Sequence, residues 1–83
     1  MKEIKTLSYK IGTILLNTIF DILKKTKDCE EVRVYKIAHL CFCCCSILTD
    51  NRIKKDDKIS SFEKIAKKCV DDVDKAIEKY KEE

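Results

Sequence analysis

Residues 59–80 read Ile-Ser-Ser-Phe-Glu-Lys-Ile-Ala-Lys-Lys-Cys-Val-Asp-Asp-Val-Asp-Lys-Ala-Ile-Glu-Lys-Tyr. Within this stretch Ile59, Phe62, Ala66, Cys69, Val73, Ala76 and Tyr80 recur at alternating steps of three and four. That spacing stacks side chains along one helical face and forms a two-position heptad seam. Ile65, Val70 and Ile77 widen the seam on one flank, and Lys, Asp and Glu fill the remainder as on a solvated face. The pattern predicts a helix over about 57–81. Ser60 with Glu63 stands at capping-box spacing, and Asp57 is a rival cap.

Two more apolar stretches precede it. In the first, Ile4, Leu7, Ile11, Ile14, Leu15, Ile19, Ile22 and Leu23 again step by three and four, predicting a helix over about 3–25. Gly12 interrupts it, and a helical glycine costs about 1 kcal/mol relative to alanine, so close approach of another helix is one reason for it to be there. A tolerated surface glycine is the other. Asp28 with Glu31 then offers a capping box for a second helix, about 29–49. At 100° per residue Val34, Ile37, Leu40, Cys41, Cys44, Cys45 and Leu48 fill a wide apolar arc, with Tyr35, Lys36, His39, Phe42, Cys43 and Ser46 opposite. An arc that wide predicts the most buried of the three helices. Asn51, in the break that follows, suits a left-handed turn position.

Composition agrees with helices and opposes strands. The chain has no proline and one glycine, too little punctuation for the many turns of a β fold. Although 40% of residues are charged, 45% are hydrophobic and regularly spaced, which separates this sequence from disordered ones. The expected fold is all-α, a single domain over 1–83 built as an antiparallel three-helix bundle. A core this small is marginal alone, and the breadth of the second helix's arc inclines the reading toward a homodimer or a bound partner.

The charges exclude one class of function. A net charge of +3 is too small for a nucleic-acid footprint. The basic residues are nearly all Lys, whereas bidentate base reading relies on Arg, here only Arg33 and Arg52. On the third helix the lysines alternate with acids, which gives side-by-side ion pairs and no basic stripe. No specific nucleic-acid partner is expected. The apolar run Ile37 to Leu48 is about half the roughly 20 residues of a membrane span, so no transmembrane segment is expected either.

Six cysteines in 83 residues offer the only unusual chemistry. Cys43, Cys44 and Cys45 are adjacent, and neighbours on a helix point in different directions, so a disulfide framework is a poor reading. Free thiols in the cytoplasm fit better. His39 and Cys43, four apart, share one face and could supply half of a zinc site completed by a second copy. Alternatively, Cys41, Cys44, Cys45 and Cys69 could converge on a soft ion such as Cu(I). The paired Cys-x₂-Cys spacing of strong zinc sites is absent, and buried cysteine commonly serves as a small hydrophobe. A Cys–His nucleophile would also need an orienting group and an oxyanion site, and the sequence supplies neither.

These readings favour a non-enzymatic helical interaction protein, without cofactor, that binds and regulates or inhibits a protein partner. Its Lys- and Ile-rich composition suggests an AT-rich coding genome, and small helical proteins of that kind are common products of viruses and mobile elements. The expected contact residues are Tyr35, His39, Phe42 and Cys43, where aromatic and polar groups share one side of the second helix. A thiol metal-binding protein built on the Cys41 to Cys45 cluster is the alternative.

Overall fold

The structure is a computed structural model that describes the backbone of residues 2–82 and the side chains of residues 6–82. Ile4, the first member of the predicted seam, therefore has its side chain outside the described residues. The architecture is all-helical: α1 spans Lys2–Lys25, α2 spans Glu30–Thr49, α3 spans Lys55–Asp71 and α4 spans Val73–Glu82. The molecule is a rod measuring 47 × 22 × 15 Å. Its three long helices pack on one another, α1 chiefly against α3, and α4 reaches back onto α2.

The predicted third helix is here in two pieces. Asp72 alone separates α3 from α4, and it stays in the right-handed region (φ −83°, ψ −6°). Its N–H still donates to the Lys68 carbonyl and its carbonyl still accepts from Ala76 N–H, so the direction of the rod persists. At this joint Lys25 Nζ reaches the Val70 carbonyl oxygen at 3.4 Å and Asp74 at 3.6 Å. In an unbroken helix that carbonyl would accept from the Asp74 N–H. A lysine from the end of α1 thus occupies the backbone acceptor where the ladder loosens.

The helix starts also differ from the expected ones. α2 begins after Cys29 and α3 after Lys54, and neither N-cap makes a side-chain hydrogen bond. Asp28 stays in the turn before α2, and Ser60 and Glu63 lie inside α3. Glu31 and Asp57 stand in the first turns beside Glu30 and Asp56, where acids oppose the positive end of the helix dipole. In the second break no residue among those described adopts positive φ, Asn51 included. That turn is held by Asp50, whose carboxylate accepts from the Arg52 backbone N–H at 2.9 Å and from its guanidinium at 3.1 Å.

The core runs through Ile11 and Ile22 of α1, Leu40, Cys44 and Ile47 of α2, and Phe62, Ala66, Cys69 and Val73 of α3 and α4. Of the predicted seam, Phe62, Ala66, Cys69 and Val73 are buried, Ile59 and Ala76 are half-buried and Tyr80 is exposed. α2 departs furthest from expectation. Its buried stripe is Val32, Leu40, Cys44 and Ile47, whereas Val34, Cys45 and Leu48 of the predicted arc face outward. A three-helix rod offers α2 neighbours on one side only, and its apolar circumference exceeds what that side can cover.

Candidate functional site

The uncovered circumference of α2 is the candidate site. Tyr35, His39, Phe42 and Ser46 step by four, three and four and make one exposed strip. Tyr35 is 63% and Phe42 70% exposed. The rings of Tyr35 and His39 lie nearly parallel, 5° apart in plane with centroids 6.2 Å apart. Lys36 Nζ sits 5.9 Å from the centre of the Tyr35 ring. Cys43, half-buried at the strip's edge, has its Sγ 3.8 Å from His39 Nε2. All four residues singled out from the sequence therefore occupy one side of α2.

Tyr35 also borders an open groove of about 520 Å³ between α2 and α4, shared with Val32, Lys36, Ala76 and Tyr80. Beside it, the Tyr80 phenol is held above its ordinary value chiefly by the negative charge of Glu31, with burial and a hydrogen bond to Glu31 adding to the effect. This contact links α4 to the first turn of α2. Sequence reasoning gives Glu31 a capping role and Tyr80 a place on the seam but does not bring the two together, because no periodicity relates residues on different helices.

The thiols divide among surroundings. Cys44 lies in the core, where burial first and then Cys45 and Cys41 push its pKa up. Cys69 is likewise raised by burial, with Lys36 pulling it down and Cys43 and Asp72 pushing it up. Its Sγ lies 3.8 Å from the Lys36 carbonyl oxygen, toward α2's Cys43 side. Cys45 is exposed and Cys41 half-buried. The set Cys41, Cys44, Cys45 and Cys69 is thus split between core and surface. No group of three or more His, Cys, Asp or Glu stands ready to hold a metal among the described residues. The His39 and Cys43 pair is in contact, and what lies against the ring is Tyr35.

A second strip on α2 went unremarked in the sequence because four of its five residues were placed in the buried arc. Val34, Ala38, Cys41, Cys45 and Leu48 step by four, three, four and three; Cys41 is half-buried and the other four are exposed, Val34 to 60%. On α1, Leu16 and Phe20, four apart and both 55% exposed, lie off the buried seam. At about 100° per residue they fall opposite Ile11 and Ile22, on the back of α1. Their separation from the isoleucine seam was a readable signal. α2 is also long and apolar enough to cross a membrane, with 22% of that stretch buried, a property that core helices of soluble proteins share.

No family model matches the chain, and neither a curated protein nor a solved structure matches it.

Proposed function

We propose that this chain is a non-enzymatic helical interaction protein that docks a protein partner through the Tyr35, His39, Phe42 and Cys43 side of α2. One observation carries the reading: two large aromatic side chains on this helix are directed to solvent, Tyr35 and Phe42. Large exposed aromatics are enriched where proteins meet, because each brings much apolar area at little entropic cost. The stack on His39 and the nearby Lys36 ammonium hold Tyr35 in a defined pose, which reduces the ordering cost of binding. In this reading the three rods run up, down and up, supported by the short links at 26–29 and 50–54. Regulation or inhibition of the partner is the role this proposal gives to that surface.

The test pairs stability with binding. Tyr35→Ala/Phe42→Ala should keep the thermal midpoint of the parent and lose at least 90% of the captured partner, on the order of 1.4 kcal/mol or more. Loss of fold would make these residues structural, and unchanged capture would move the site elsewhere. Metal binding by the thiols is tested separately by native mass spectrometry of the reduced, chelator-free protein. A stoichiometric zinc or copper adduct that disappears in Cys41→Ser/Cys45→Ser would favour that alternative.

A further inference from the structure

We infer that a second copy of this chain covers the other exposed strip of α2, in an antiparallel pairing centred on Cys41. The inference goes beyond the partner reading and uses different residues. The strip opens with Glu30 in the first turn, continues through Val34, Ala38, Cys41, Cys45 and Leu48, and is followed by Arg52 in the turn. It therefore carries a negative charge at one end, an arginine paired with Asp50 at the other and no charge between.

That order is complementary to itself only when reversed. With Cys41 on the two-fold axis, Val34 falls opposite Leu48 of the second copy, Ala38 near Cys45, and Glu30 near Arg52. A parallel pairing would set Glu30 against Glu30. An isologous contact requires this kind of self-complementarity. The Arg52 side chain is 90% exposed, and its guanidinium is paired with both carboxylate oxygens of Asp50 on its own turn. Such an exposed pair contributes little by itself, so Glu30 of the second copy would join it. The middle of the strip is small, Ala38, Cys41 and Cys45, so two helices can approach closely where they cross.

A 20-residue helix is about 30 Å long, and stable dimers bury about 800 Å² per partner. One helix-wide strip falls short of that. On α1, exposed Leu16 and Phe20 offer further apolar surface to a second copy. The resulting assembly would be a six-rod particle with α2 and its copy at the centre.

The experiment is analytical ultracentrifugation of the full chain, reduced, over a concentration series. The expected species has twice the 9.7 kDa mass of one chain. Val34→Glu, at an exposed position, should leave helical content intact and give the monomer. Glu30→Arg and Arg52→Glu should each weaken association about tenfold, and the double exchange should restore it. Four outcomes would overturn the inference: a monomer at every concentration, a dimer indifferent to Val34→Glu, a double exchange weaker than either single one, or a monomer that co-sediments with phosphatidylcholine vesicles in place of dimerising.

Discussion

Arg33 Nη2 lies 2.8 Å from the Thr26 carbonyl oxygen, and Arg33 Nε lies 3.3 Å from the Thr26 hydroxyl oxygen. Thr26 is itself fully buried and donates its hydroxyl to the Ile22 carbonyl at 2.6 Å. The turn between α1 and α2 is therefore closed by an arginine reaching back from the first turn of α2. Its donors satisfy carbonyls at the end of α1, while the start of α2 has no side-chain cap. Hydrogen bonds to a charged group contribute about 1.5–3 kcal/mol, less where water competes. Arg33→Ala should lower unfolding free energy by about 1–2 kcal/mol in urea titration. Arg33→Lys should recover only part of the loss, because an ammonium cannot reproduce the planar fork. An alanine variant as stable as the parent would remove this role.

Two phenylalanines separate core from surface. Phe62 is fully buried at the centre of α3, and Phe42 is mostly exposed on α2. Phe62→Ala should cost about 3–5 kcal/mol through lost transfer energy and the cavity left behind, enough to unfold much of a marginal domain of this size. Phe42→Ala should stay within about 0.5 kcal/mol of the parent. Thermal melts by circular dichroism decide both, and equal losses would mean that α2 is packed differently from this description.

The α3 seam was legible because its polar residues leave only one face to bury, so Phe62, Ala66, Cys69 and Val73 identify themselves. In α2 the same method misassigned Val34, Cys45 and Leu48 and missed Val32 and Ile47. A helix apolar nearly all round has no polar face to fix its rotation, and the neighbours decide it. Tyr35, His39 and Phe42 were legible as a group because helical spacing alone unites them. The caps were misread for a related reason: Asp28 and Ser60 satisfy the local pattern, yet the backbone enters α2 one residue later, at Cys29, and α3 six residues earlier, at Lys54.

The cysteines should report their surroundings. Burial raises the thiol pKa values of Cys44 and Cys69 above their ordinary 9.0, so folding favours the protonated form at both. A raised folded pKa contributes stability that is complete below the unfolded value and is lost as pH rises through the folded one. Stability should therefore fall above about pH 9, and the fall should be shallower in Cys44→Ala/Cys69→Ala. Limited alkylation of the native protein at neutral pH should mark exposed Cys45 well before either buried thiol. Mass mapping that finds Cys44 labelled first would contradict its place in the core.

Gly12 offers a gain in stability. A Cβ built at this position meets no atom within 4 Å, so the close approach of another helix is not the reason a glycine stands there. Its φ is not positive, so alanine adopts the same backbone without strain. What remains is the entropic penalty of glycine in mid-helix, about 1 kcal/mol relative to alanine. Gly12→Ala should raise unfolding free energy by about that amount and leave the mass seen in ultracentrifugation unchanged. A destabilised Gly12→Ala would mean that something reaches this flank of α1 in solution. If the variant also lost the dimer while keeping its helical content, the second copy would be what reaches it.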